Sequence, residues 1–307
     1  MILAAGLTPA WQQILVFDLF RPGEVNRARQ TAWCGSGKVL NVGIVAHRLG
    51  GPSLTLAPLG GSPMGPIDAE FAAMGIPRRW IVTEAATRVC TTILDRSRGT
   101  TTEMVENGRP LTPHELDQFR AAYAEEAARA EVAVITGSLP AGTPAGLYRD
   151  LVERTPCPAI LDFRGEGLLA VLDLKPYVVK PNREELAQTV GRPLADDAQL
   201  LAAMRELNRR GAVWVVVTQG RDAVWLSSAD TAYRMYPLPA QTVVNAIGCG
   251  DALAGALAWA ARRGDCVVEA VRLGMAAAAE NLRQLLPGRI DVGRLAERAR
   301  SVRVEEM

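Results

Sequence analysis

Val213-Trp214-Val215-Val216-Val217-Thr218-Gln219-Gly220 decides the fold. An apolar run of strand length with no polar alternation is what a strand covered on both faces requires. The same pattern extends outward. A helix is predicted over 198–210, another opens at Arg183, and a strand ends at Val179. Further back lie a strand at Ala159–Phe163, a helix at Pro144–Arg154, a strand at Val132–Thr136 and a helix at Leu116–Ala130. Strands alternating with helices predict an α/β fold: a doubly wound, mostly parallel sheet flanked by helices. Such sheets take ligands beyond the carboxyl ends of their strands. Gly137-Ser138, Lys180-Pro181-Asn182 and Thr218-Gln219-Gly220 fall at those ends.

The first third has a different rhythm. A short apolar run, Ile2–Leu7, and a helix with Val42, Val45, Ala46 and Leu49 on one face are separated by β-prone residues. Arg88–Leu94 and Thr100–Val105 read as a hairpin about Asp95–Gly99. One domain, 1–307, is expected, with a small β lid built from about 11–33 and 80–105.

With 307 residues, 49% of them hydrophobic, the chain can bury a large core. A formal net charge of +1 argues against nucleic acid or an anionic membrane as partner. Cys34, Cys90, Cys157, Cys249 and Cys266 are odd in number and irregularly spaced, so neither a disulfide framework nor a zinc site is expected. The N-terminus has no basic, apolar leader and no stretch is long enough to span a bilayer, so a cytoplasmic location is expected.

Three motifs carry candidate chemistry. Gly248-Cys249-Gly250-Asp251 opens an Ala- and Leu-rich helix. Unpaired N–H groups at a helix start favour an anion, and glycine admits it closely. Asp251 there is either an ordinary cap or a base beside developing phosphoryl charge. Cys249 invites a packing role more than a nucleophilic one. Gly35-Ser36-Gly37-Lys38-Val39-Leu40-Asn41 is not a P-loop, because Val39 follows the Lys, nor a dinucleotide fingerprint, because position 40 is Leu. It presents Lys38 and Asn41 either to a polar ligand or simply on a loop. Lys180-Pro181-Asn182-Arg183-Glu184-Glu185 has capping-box spacing; Asn182 and Glu185 either cap a helix or organise Mg²⁺ through water. Arg88, on the lid, is suited to grip a phosphate. His47 and His114 stand apart and receive no role.

In order, Gly37-Lys38-x-x-Asn41, Thr87-Arg88, Gly137-Ser138-Leu139-Pro140, Lys180-Pro181-Asn182-x-x-Glu185, Thr218-x-Gly220 and Gly248-x-Gly250-Asp251 resemble the ribokinase (PfkB) carbohydrate kinase family. The likeness runs from about Leu7 to Asp291 and is strongest to the 1-phosphofructokinase and tagatose-6-phosphate kinase branch. It implies an ATP-dependent kinase acting on a hydroxyl of a sugar phosphate of the fructose 1-phosphate or tagatose 6-phosphate type, with Mg²⁺. It further implies Asp251 as general base and Gly248, Cys249 and Gly250 as the anion hole. Gln12, Gly37, Lys38, Asn41, Arg88 and Ser138 would hold the sugar. Lys180, Asn182, Thr218, Gly220 and Asn281 would lie along the nucleotide, with Asn182 and Glu185 near the metal. A homodimer through the lid is implied as well. Two departures bear on the sugar: Gln12 stands where the branch has Asp, and Val39 where it has Gly. A kinase for an unphosphorylated sugar or nucleoside is the near alternative; a binding protein with little turnover is the distant one.

Overall fold

A computed structural model describes residues 1–240 and 242–307. The strands are β1 (Ile2–Ala5), β2 (Ala10–Phe17), β3 (Gln30–Ser36), β4 (Ser53–Gly60), β5 (Arg78–Thr83), β6 (Arg88–Asp95), β7 (Thr100–Val105), β8 (Val132–Thr136), β9 (Ala159–Asp162), β10 (Val178–Val179), β11 (Trp214–Val217), β12 (Val224–Ser227), β13 (Ala232–Tyr236) and β14 (Arg303–Glu306). The helices are α1 (Lys38–Arg48), α2 (Met64–Ala73), α3 (Pro113–Ala127), α4 (Leu147–Glu153), α5 (Glu166–Leu169), α6 (Arg183–Val190), α7 (Asp197–Arg209), α8 (Cys249–Arg262), α9 (Val267–Asn281) and α10 (Leu295–Arg300).

The main sheet runs β14-β13-β12-β11-β10-β9-β8-β1-β4-β5. From β5 to β11 every neighbour is parallel; β12, β13 and β14 extend it antiparallel. The apolar runs are unbroken because each face meets helices. Leu3, Leu161, Val215 and Val217 pack with Phe119, Tyr123, Met204 and Leu207 on one side. Ile2, Ala4, Val134, Ile160 and Val216 pack with Val42, Leu253, Leu257 and Val271 on the other. The winding reverses at β1, which sits between β4 and β8. The crevice past Ala5 and Thr136 is therefore the switch point where doubly wound sheets bind ligands. On the second face α8 lies against α1, a close approach that Gly255 permits: a Cβ there would stand 2.9 Å from Val45 Cβ.

A second sheet, ordered β3-β2-β6-β7, stands apart from the first. Gln12, Ile14 and Val16 alternate inward along β2, and Ile14, Val16, Cys34 and Leu94 pack toward Leu285 and Leu286 of the main body. The hairpin of β6 and β7 matches the reading of the sequence. The expected span 80–105 does not hold as one unit. Trp80–Thr83 belongs to β5, which pairs with β4 at the edge of the main sheet. Its aromatic and β-branched residues suit either sheet, and only the pairing decides. Residues 18–29 contain no strand.

Helix starts also differ from expectation. α1 begins at Lys38, because Gly37 at φ 87° ends β3 and turns the chain at once. α3 begins at Pro113, behind a capping box of Thr112 and Glu115.

Candidate active site

Asp251 occupies the first turn of α8, and Gly248, at φ 84°, caps it in the left-handed region. The first intrahelical bond is Ala252 N–H to Gly248 O, 2.8 Å. Cys249 N–H points to Ala246 O at 3.4 Å, whereas the N–H groups of Gly250 and Asp251 have no acceptor among the described residues. Those two donors, rather than all of 248–250, are placed to meet an anion. The Asp251 side chain does not cap the helix; it accepts from Asn41 Nδ2 at 2.8 Å. Asn41 is fully buried and is itself held by Ser36 Oγ at 3.3 Å.

Asp251 is 8% exposed. Burial pushes its carboxyl up, and the carboxylate of Asp162 adds to this. Lys38, the Asn41 hydrogen bond and Lys180 act in the opposite sense without cancelling it. A buried carboxylate raised in this way is more basic than a free one.

Asp162 is the organising anion that the sequence reading passed over. It ends β9, is 1% exposed, and meets Lys38 Nζ at 3.0 Å and Lys180 Nζ at 3.3 Å. Thr136 Oγ1 donates to its other oxygen at 3.3 Å. Burial alone would raise its carboxyl, but Lys180 and Lys38 outweigh burial and hold it below the usual range. Lys38 also reaches Glu185 Oε1 at 3.3 Å. Burial would lower the Lys38 ammonium, but Asp162, Glu185 and Asp251 more than reverse this, so it stays charged.

Asn182 and Glu185 form a true capping box: Glu185 N–H to Asn182 Oδ1 at 2.8 Å and Asn182 N–H to Glu185 Oε2 at 2.9 Å. The capping and functional readings are compatible, since Glu185 Oε1 still faces Lys38 and, at 3.6 Å, Arg164. No cluster of three metal-ligating side chains exists among the described residues.

Two cavities flank this line of charge. The first, about 480 Å³, is mostly apolar and is lined by Thr218, Gly220, Cys249, Gly250, Leu253 and Ala279 among others. The second, about 550 Å³, is lined by Thr8, Lys38, Arg88, Ser138, Arg164 and Glu185 among others. Gly250 borders one and Lys38 the other, and Lys180 bridges behind them: a Cβ on Gly250 would stand 3.5 Å from Lys180 Nζ. Gly37, expected to hold the sugar, lines neither cavity and packs against the backbone before β2, where a Cβ would meet Thr8 O at 2.9 Å.

Four other expected residues are placed differently. Gln12 lines neither cavity; its Nε2 donates to Thr92 Oγ1 at 2.8 Å under the small sheet. Asn41 contacts Asp251 and lines neither cavity. Asn281 is buried and ties two loops, donating to Ile247 O at 2.8 Å and accepting from Gly288 N–H at 2.7 Å; its neighbours Ala278 and Leu282 line the first cavity instead. Val39 is buried among Leu40, Ile44 and Ala57 and lines neither cavity. Arg88 does line the second cavity, but its guanidinium also donates to Thr8 O at 2.9 Å and Glu106 O at 3.1 Å. Cys249 Sγ faces Ala278 O, and burial raises its thiol to about 11, which fits packing and not attack.

An α/β fold with a polar cavity, an apolar cavity and a helix start with two free N–H donors beside them suits a small molecule with an anionic group. The model of the pfkB family of carbohydrate kinases matches residues 10–289, and the chain belongs to that family. It is 34% identical to the ATP-dependent 6-phosphofructokinase isozyme 2 of Mycobacterium tuberculosis, over 97% of this chain and 89% of the relative. Its fold is similar to that of a Thermotoga maritima protein described as a possible 1-phosphofructokinase: TM-score 0.89, 21% identity, 100% and 99% of the two chains covered. It is also similar to phosphofructokinase-2 from Escherichia coli in complex with fructose-6-phosphate, with TM-score 0.83, 23% identity and 98% of each chain covered. The protein is a carbohydrate kinase. No helix among the described residues is long and apolar enough to cross a membrane.

Proposed function

We propose that this chain transfers the γ-phosphoryl group of ATP to a hydroxyl of a phosphorylated ketohexose, with Asp251 as general base. The observation that carries this is the buried Asp251 carboxylate, raised by burial and held by Asn41, next in sequence to Gly250, which lines the apolar cavity, and facing the charge of Lys38, which lines the polar one. The sugar phosphate lies in the polar cavity, its phosphate toward Arg88, Lys38 and Ser138. The adenine side of ATP lies in the apolar cavity along Thr218, Gly220 and Ala279. Asp251 takes the proton of the attacking hydroxyl. The N–H groups of Gly250 and Asp251, with Lys180, meet the charge that develops on the transferred group. Mg²⁺ supplies charge neutralisation on the phosphates. Glu185 is the acid that would hold it, through water and beside Asn182, in keeping with a cation that keeps several waters and with the absence of a dedicated acidic cage among the described residues.

The relative's printed name makes fructose 6-phosphate the first substrate to assay, before fructose 1-phosphate and tagatose 6-phosphate. A panel of sugars and sugar phosphates, followed by ATP consumption with Mg²⁺, tests the reading. Asp251→Ala should lower kcat by on the order of 10²–10⁴ on the best substrate; turnover near wild type would overturn the assignment.

A further inference from the structure

The inner face of the small sheet carries a carboxylate with no partner. Glu103 on β7 pairs in register with Thr92 on β6. Thr92 accepts from Gln12 on β2, so the three side chains stand on one face. Arg88, four residues before Thr92 on the same strand, points to that face too. It is the face that packs toward the main body through Ile14, Cys34 and Leu94.

The hydrogen-bonding capacity of this face is specific. One Gln12 amide N–H is spent on Thr92, which leaves Gln12 its carbonyl oxygen and its second N–H. Glu103 makes no hydrogen bond or ion pair among the described residues and is exposed. Crowding by surrounding protein pushes its carboxyl up, and the carboxylate of Asp251 adds to this against the opposing Arg88. Glu103 thus sits within electrostatic reach of both Asp251 and Arg88. A group placed between the proposed base and the guanidinium, under this sheet, would meet the Arg88 donors on one side and the Glu103 carboxylate as acceptor on the other. A polyhydroxylated ligand satisfies acceptors of that kind, because each hydroxyl can donate one hydrogen bond.

We propose that Glu103 is a specificity-determining residue, its carboxylate accepting hydrogen bonds from hydroxyls of the sugar portion of the substrate above Asp251. This rests on the kinase reading for the identity of the ligand, and it names a residue outside both cavities described. A hydrogen bond to a charged acceptor is worth enough to shift affinity about 10-fold or more.

The test compares wild type with Glu103→Gln and Glu103→Ala. Calorimetric Kd for fructose 6-phosphate, fructose 1-phosphate and tagatose 6-phosphate is measured beside KM and kcat for sugar phosphate and ATP. Both variants should weaken the best-bound sugar phosphate about 10-fold or more in Kd and KM, with KM for ATP unchanged. A deoxy analogue lacking the bonded hydroxyl should bind all three proteins alike. A Kd within twofold of wild type in both variants overturns the proposal, as does an equal loss for the deoxy analogue. The kinase reading fails separately: wild type would then bind a sugar phosphate without turning it over. Wild type binding none of the three would overturn both.

Discussion

Asn41 donates to Asp251 across 210 positions of sequence, 2.8 Å from Nδ2 to Oδ2, and both side chains are buried. The bond is one of the influences that keep the Asp251 carboxyl from rising further. Asn41→Ala should therefore raise the carboxyl and move the acid limb of the kcat profile to higher pH. The base works only when ionised, so activity would be lost earlier as pH falls. A pH–rate profile with an unmoved acid limb would refute this role.

The raised Asp251 carboxyl has a stability counterpart. A carboxyl whose folded pKa lies above its unfolded value stabilises the fold while protonated, and that contribution disappears as pH rises through the folded value. At neutral pH the ionised group is a cost. Asp251→Asn should thus raise Tm at pH 7.5, by on the order of 2 °C, while abolishing most turnover. The gain should vanish below about pH 4. Calorimetry at the two pH values checks it.

Asp162 behaves with the opposite sign. Its carboxyl is depressed by Lys180 and Lys38, so it stabilises above its unfolded value near pH 4 and ceases to do so as pH falls through the folded one. Asp162→Asn leaves two ammonium groups without their shared counter-charge, a loss of about 3–5 kcal/mol. Urea unfolding should show that gap at pH 7 and a smaller one below about pH 4.

The two cavities should be separable by kinetics. Ala279→Leu narrows the apolar cavity and should raise KM for ATP at least about 10-fold with little change for the sugar, in line with overpacking a formed site. Arg88→Ala should raise KM mainly for a phosphorylated substrate, by about 10-fold or more, because it removes a charge-assisted contact. An equal effect of either variant on both substrates would contradict the division.

Much of the fold was legible in the sequence, because strands such as Trp214–Val217 are apolar on both faces and can only be central. The edges were less so. Trp80–Thr83 has the composition of either sheet, and Val224–Ser227 and Ala232–Tyr236 extend the sheet antiparallel, outside the strand–helix alternation that announces the others. At the site, Asp251 and the capping box were visible as motifs. Asp162 was not, because a single acid ending an apolar strand has no local pattern; its importance comes from Lys38 and Lys180, brought in from positions 124 residues before it and 18 after. Gln12 and Asn41 were marked as ligand contacts, yet their amides are directed at Thr92 and Asp251, pairings set by tertiary packing alone.

Gly37 is the only residue between β3 and α1. The small sheet therefore hands its position directly to Lys38 and Asn41, one turn along the helix, with no slack to absorb a displacement. A displacement of the sheet would pass to Asn41, which holds Asp251, so the base would be in line only with the sheet in place. Inserting one glycine after Gly37 should break that coupling. The expected result is a higher ratio of ATP hydrolysis to sugar phosphorylation; an unchanged ratio would show that the sheet and the base move independently.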